Sequence, residues 1–388
     1  MRVSTIFAFR HIGTNPLGPL LRCTPIQVQK IQRARASSNA TSSELEGARS
    51  YCLNLLQKYD SPSYVLQTFI PRTARDAYLA IRAFNVDIAR IADATSNVTV
   101  GTMRMQFWRD AITKALAGSP PKEPAAVLLA SAQENLQSRS EGIARLSKGW
   151  FLRIINAREQ HLANQPFPTL VELETYAENT YSTLLYLTLS SLPLSSITAD
   201  HVASHIGKAS GIAAVLRGFP LIAFPPPPNH HSNQAAFGGV SAGGRHGAVL
   251  LPLDVMAETG VREEEILRRG ADAEGLRDAV FQVATRANDH ILTARQMLRN
   301  LRAGEDVGHD FEHQHEEGHS YSGREDSNAF AQLGDINRAF GVFLNAVPTT
   351  MWLEKLERAD FDAFAPSLRS PDWRLPWKAY WAYTRRKF

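Results

Sequence analysis

The chain has 388 residues, 44% of them apolar, with 42 basic against 38 acidic side chains and a sequence pI near 9.1. That length and apolar fraction can bury a large core and exclude a disordered chain. The excess positive charge lies in the first 43 residues, and the remainder, 36 basic against 38 acidic, has no dense Lys/Arg cluster interleaved with aromatics before its very end, which sets nucleic acid aside as a partner.

Residues 1–43 contain no Asp or Glu but carry Arg2, Arg10, Arg22, Lys30, Arg33 and Arg35 among many Ser, Thr and Ala, the composition of a mitochondrial presequence. The apolar run Val3 to Phe9 is short and broken by Ser4 and Thr5, so a secretory signal is not the reading. Of the two cysteines, Cys23 falls in this leader and Cys52 in the folded part, which leaves no disulfide framework and no cysteine metal site. Residues 44–388 are expected to form one domain. Its first helix runs over Ser43–Lys58, opened by a capping Ser and early acids. Next, Ala74, Ala77, Ile81, Phe84, Ile88 and Ile91 recur at steps of three and four, the core-facing stripe of a helix. A neighbouring stripe, Asn85, Ala89 and Asp93, carries one acid. Asp87 and Asp110 fall on other faces and read as surface or salt-bridging acids, and Trp108 reads as core packing. Helical periods continue over Ala125–Gln137, over a long helix or pair from about Ser140 to Leu162, and over Leu170–Leu192. Strand patterning is nearly absent, so the fold class is all-α with antiparallel helices.

No stretch reaches the roughly 18 uninterrupted apolar residues that span a bilayer. The nearest candidate, Tyr181–Ile197, is interrupted by Ser and Thr and reads as a buried helix, so any membrane contact is peripheral. In Ala203–Ile222 the small residues Gly207, Ser210, Gly211 and Ala214 let a second helix or a ligand come close, and Pro220 is expected to break or kink the helix. Two stretches, about 224–247 and 304–328, read as disordered insertions. The first holds Gly239-Val-Ser-Ala-Gly243, a nucleophile-elbow pattern without the strand that chemistry needs. The second holds His309, His313, His315 and His319, whose spacing suits a transition metal but whose glycine-rich setting lacks a supporting shell. The C-terminus, Pro371–Phe388, packs three Trp, two Tyr and a basic cluster into eighteen residues. Its rings are expected to rest at headgroup level while Arg385, Arg386 and Lys387 meet anionic lipid, although aromatics closing the core is an equal reading.

The runs Leu79-Ala-Ile-Arg-Ala-Phe-Asn-Val86, Met103-Arg-Met-Gln-Phe-Trp108, Glu172-Leu-Glu-Thr-Tyr-Ala-Glu-Asn179, Leu184-Leu-Tyr-Leu-Thr-Leu189, His205-Ile-Gly-Lys-Ala209, Gly247-Ala-Val-Leu-Leu-Pro252 and Phe361-Asp-Ala-Phe364 together resemble the squalene/phytoene synthase family over most of Ser43–Leu301 and beyond. The resemblance implies an isoprenoid-synthase-like helical bundle around a central cavity. In active members two aspartate-rich motifs hold magnesium ions that bridge to a substrate diphosphate, and such ions need several converging carboxylates. Laid on this sequence without gaps, the first motif's acids fall on Ala89, Arg90 and Asp93, and the second motif's positions on Gly218, Leu221 and Ile222. One ligand remains. The resemblance is closest to the branch of the family that serves in building mitochondrial respiratory complex I.

What that resemblance implies is a non-enzymatic assembly factor, a pseudo-synthase scaffold in the mitochondrial matrix, peripheral to the inner membrane, with complex I subunits or other assembly factors as partners. It implies no catalytic residue, no metal and no cofactor. A residual cavity, with Asn85, Arg90, Asp93 and Arg217 as the candidate anion-binding set, would take a lipid or isoprenoid without turnover. The alternative from another class is a prenyltransferase acting on isoprenoid diphosphates.

Overall fold

A computed structural model describes residues 42–95, 97–192, 194, 196–225, 247–304 and 329–388. The leader, the bulk of both insertions, Gly239–Gly243 and the four histidines from His309 to His319 lie outside the described residues. Every described element is helical. In chain order these are α1 (Ser42–Tyr59), α2 (Ser61–Leu66), α3 (Arg72–Ala89), α4 (Ile91–Ala94), α5 (Val98–Leu116), α6 (Pro124–Arg139), α7 (Lys148–Gln160) and α8 (Leu170–Ala177). A π-helical turn, Glu178–Ser182, leads into α9 (Thr183–Ser190) and α10 (Ile197–Ala223). After the first insertion come α11 (Leu253–Glu258), α12 (Glu263–Arg269) and α13 (Leu276–Ala303), then α14 (Ala329–Phe343), α15 (Ala346–Arg358) and α16 (Leu375–Arg385).

The stripe Ala74, Ala77, Ile81, Phe84, Ile88 is buried along α3, as its spacing requires, and α3 packs between α1 and α6. Phe84 meets Trp108 of α5 and Phe151 of α7 edge to face, each at 5.3 Å between ring centres, so Trp108 is core. Cys52 is fully buried, and loss of solvent pushes its thiol up to about 12, leaving it inert at neutral pH. The apolar side chains fall into two clusters. One gathers α1 to α7, α9, the first half of α10, the second half of α13, α14 and α16. The other gathers Phe167, α8, the second half of α10, α11, the first half of α13 and the end of α15. Helices α10 and α13 therefore run through both, and they are each other's longest packing partner.

Three expectations change. The segment 140–147 is not helical: Glu141 and Gly142 turn left-handed at φ 53° and 85°, Gly142 N–H closes onto Gln137 O, and Leu146 N–H donates to the buried Gln133 side chain, which together end α6. Pro220 does not stop α10, which continues to Ala223 with Phe224 N–H bonding Pro220 O. The 27-residue α10, and not Tyr181–Ile197, is the one described helix long and apolar enough to cross a membrane by length and composition, and 56% of its most apolar window is buried in the bundle.

Candidate functional site

A cavity of about 230 Å³ opens where the two apolar clusters meet. Ile88, Ala89, Ala92 and Asp93 line it from the end of α3 and from α4, Met105 from α5, Arg158 from α7 and His161 from the cap just after it. Tyr176, Tyr181, Ala214, Val215, Gly218, Ile222 and Leu250 close the other side. Local sequence sets these positions. The backbone turns at Arg90, so α4 is a separate short helix that carries Asp93. Asn97 then caps α5 by accepting the Thr99 N–H at 2.8 Å.

Tyr181 owes its place to the π turn. A Cβ on Gly207 would lie 2.3 Å from Ser182 Cα, and one on Gly211 would lie 2.5 Å from Ala177 Cβ. Only glycine lets α10 come this close, as the small-residue stripe anticipated. Glu178, buried at the start of the turn, accepts from Tyr186 Oη at 2.6 Å and from Ser204 Oγ at 2.8 Å, tying the turn to α9 and α10. π turns inserted in α-helices recur at functional sites because one extra residue re-aims the side chains beyond it.

Arg158 is the principal charge of the cavity. Its Nη2 donates to Asn85 Oδ1 at 2.9 Å and its Nη1 to Tyr176 Oη at 3.1 Å, while its Nε is buried without a partner. The guanidinium lies 5.9 Å and 5.7 Å from the ring centres of Tyr176 and Tyr181. Burial opposes the cation, but Tyr176, Tyr181 and Asp93 outweigh it and raise its pKa, so the charge persists. His161 stacks against Phe167 at 4.7 Å and Tyr176 at 4.8 Å, and its desolvation lowers its pKa, keeping the imidazole neutral.

The four residues singled out by sequence are not gathered in one place. Asp93 lines the cavity and Asn85 holds Arg158 from below. Arg90 and Arg217 are not part of the lining: Arg90 is exposed, stacked 3.8 Å from the centre of the Tyr59 ring, and Arg217 lies over Trp352 at 5.3 Å. Asp110 is a surface acid, but Asp87 is half-buried, and desolvation, followed by the charge of Glu123, pushes it up to about 6. Arg109 pairs with Glu159 at 2.5 Å.

Sequence reading missed Arg158, Tyr176 and Tyr181. A signal was present for the first: Phe151, Ile154, Ile155 and Arg158 share one face of α7, a cation on an apolar stripe. Also missed was a chain of ionisable groups on α8, α10 and α13. His290 Nε2 pairs with Glu174 Oε1 at 2.9 Å, and His290 Nδ1 meets His205 Nδ1 at 3.0 Å. His290 thus bridges Glu174 through Nε2 and His205 through Nδ1, joining the three helices.

The lining does not fit a magnesium cluster. Its one carboxylate, Asp93, sits beside the Arg158 cation, and among the described residues no group of three or more His, Cys, Asp or Glu could hold a metal ion. What the arrangement can do is pair an anionic head with Arg158 and shelter an apolar group among Ile88, Met105, Leu162, Val215 and Ile222.

The squalene/phytoene synthase family matches residues 56–223 and 239–381 of the chain. A mouse (Mus musculus) protein named NADH dehydrogenase (ubiquinone) complex I, assembly factor 6, is 34% identical over 354 residues, which is 91% of this chain and 87% of that protein. The human (Homo sapiens) protein of the same name is 31% identical over 365 residues, 94% of this chain and 90% of that one. Among solved structures, squalene synthase HpnC from Alicyclobacillus acidocaldarius superposes with a TM-score of 0.56 at 15% identity, over 84% of this chain and 98% of its own. A dehydrosqualene synthase in complex with ligand superposes with a TM-score of 0.59 at 13% identity, over 89% and 98%. At those identities the likeness is one of fold.

Proposed function

The chain belongs to the squalene/phytoene synthase family, and from that premise we propose that it is a non-enzymatic assembly factor for mitochondrial respiratory complex I that reuses the synthase fold as a scaffold. It works in the mitochondrial matrix, peripheral to the inner membrane, on complex I subunits or other assembly factors. Residues 1–43 serve as its import leader and residues 44–388 as its single domain, with the two insertions at about 224–247 and 304–328. The observation that carries this reading is the 34% identity to the mouse assembly factor across 91% of the chain.

The cavity supports the non-enzymatic part. A diphosphate leaving group needs its developing negative charge neutralised by metal ions that several carboxylates hold, a contribution of several kcal/mol, and one acid beside an arginine could not hold them. Held by Asn85 and backed by Asp93, Arg158 instead suits an anionic lipid or isoprenoid that is bound without turnover.

Deleting the gene and resolving respiratory complexes on native gels tests the assembly role. Assembled complex I falls and returns with the wild-type chain. Unchanged complex I in the deletion sinks the reading. Incubating the purified domain with farnesyl diphosphate and magnesium tests the other half, and head-to-head product well above a heat-killed control would establish the prenyltransferase alternative.

A further inference from the structure

Three of the six tryptophans, Trp108, Trp150 and Trp352, are wholly or partly buried. The other three are not. Trp373, Trp377 and Trp381 are 75%, 64% and 52% exposed, and Tyr380 beside them is 52% exposed. Trp377 and Trp381, four residues apart, stack one turn from each other along α16, and Trp373 sits in the turn that leads into it. The opposite face is firmly seated. Leu375, Ala379 and Ala382 are buried against the first apolar cluster, Tyr383 packs on Phe69 at 5.3 Å, and Arg295 Nε donates to Phe388 O at 2.8 Å. The aromatic ridge is therefore a fixed surface of the folded protein. Exposed Trp at this density is rare on a chain that meets only water.

Charge identifies what covers it. From Ala363 to Phe388 there is one acid, Asp372, against Arg369, Arg374, Lys378, Arg385, Arg386 and Lys387. Asp372 is engaged with Lys355 at 3.6 Å and with the Arg374 N–H at 3.0 Å. Arg374 lies over the Trp373 ring at 5.8 Å and Arg385 over the Trp381 ring at 5.0 Å, so cations alternate with the indoles. Protein interfaces also favour Trp and Arg, but they are depleted of Lys and of one-sided charge, whereas rings set among six cations and one engaged acid suit the boundary between anionic headgroups and acyl chains. At ~1.5 Å per residue, the 11-residue α16 is about 17 Å long, enough to lie along a bilayer surface but not to cross its ~30 Å core. The inward turn of Arg386 corrects one expectation. At φ 54° its guanidinium stacks 4.1 Å from the Tyr383 ring centre and 5.5 Å from that of Phe340, so it is committed to the fold and not to lipid.

We propose that the outer face of α16 and the turns that flank it, with Trp373, Trp377, Tyr380 and Trp381 interleaved by Arg374, Arg385 and Lys387, is the surface by which the protein lies on an anionic phospholipid membrane. The inference deepens the peripheral placement given above and rests on it only for which membrane is met. The test is co-sedimentation of the full chain with phosphatidylcholine vesicles, with and without about 30 mol % phosphatidylglycerol. Binding is expected to the anionic vesicles and to weaken as salt rises from about 0.05 to about 0.5 M. Each cation contributes roughly fivefold, so R374A/R385A/K387A should bind about a hundredfold more weakly, and W377S/W381S should not sediment, both at unchanged melting temperature.

Equal binding to neutral vesicles, or variants that bind as the wild type does, overturns the proposal. Quenching of wild-type tryptophan fluorescence by bromine-labelled acyl chains reads insertion without any variant, and no quenching also overturns it. A concentration-dependent dimer that W377S/W381S abolishes, without vesicle binding, would assign the ridge to a second copy and overturn the lipid reading. No vesicle binding by the wild-type chain, with complex I lost on gene deletion, sinks this surface alone. Preserved vesicle binding with no such phenotype sinks the assembly role alone.

Discussion

Replacing Gly207 by Ala tests whether α10 and the π turn are held together by close approach. A methyl there would sit 2.3 Å from Ser182 Cα and Oγ and 2.4 Å from Ser182 N. Carbon atoms pack at about 3.5 Å or more, so the two elements must part by about 1 Å, and no rotamer change relieves a clash with backbone. Overpacking of this kind costs about 3 kcal/mol. Parting the elements also strains the Glu178–Ser204 hydrogen bond, worth about 1 kcal/mol. Against this stands the gain of about 1 kcal/mol for Ala over Gly in a helix interior. The net is about 3 kcal/mol of destabilisation. Gly218, eleven residues further along the same helix, is the control: its Cβ would meet only Ile222 Cδ1, at 3.9 Å. Gly218→Ala should therefore be neutral or stabilise by up to about 1 kcal/mol. Urea unfolding followed by far-UV circular dichroism measures both. A Gly207→Ala protein within about 0.5 kcal/mol of wild type would refute the reasoning, since only relief of a clash separates the two substitutions.

Asp87 protonates near pH 6 when folded, above its ordinary value near 4, so the folded state holds the extra proton and stability falls as pH rises from about 4 to about 6. Asp87→Asn should be more stable than wild type by about 1–2 kcal/mol at pH 7.5, a figure reduced for its partial exposure, with the gap closing by about pH 4; a gap that ignores pH contradicts the burial. Glu174 has the opposite sign. Desolvation pushes its pKa up, but hydrogen bonds from His290 and Arg286 and their charges bring it down to about 2. Its contribution is present above pH 4.3 and lost as pH falls through about 2. Glu174→Gln should lose about 2 kcal/mol at pH 7, discounted because Arg286 is exposed, and the loss should shrink as pH falls below about 4 in chemical denaturation; a loss that does not shrink there would reject the assignment.

Much of this architecture is written locally. The stripe from Ala74 to Ile88 and the small residues Gly207 and Gly211 declare their roles by three- and four-residue spacing, because a helix brings those positions to one face before any tertiary contact forms. Four features are not written that way. The end of α6 depends on left-handed backbone at Glu141 and Gly142, and the inward turn of Arg386 on the same conformation, which no side-chain pattern announces. Arg158 finds Asn85 at a separation of 73 residues, and His290 finds Glu174 at 116, so those sites exist only once distant helices dock. Arg217 had a plausible frame, but a one-residue step on a helix turns a side chain by ~100°, and that step carries it from the cavity wall to Trp352.

Helix α10 lives between two solvents. During synthesis its 27 residues emerge before α13, its main packing partner, which begins 53 residues after Ala223. In that interval its length and apolarity match those of a stop-transfer segment. What separates it from one is Lys208 near its midpoint and Arg217 two turns on, each worth about 2.5–3.5 kcal/mol against lateral release into lipid when placed near a bilayer's centre. These two cations thus also weigh against lateral release, favouring the aqueous route until the bundle closes over its own most lipophilic helix.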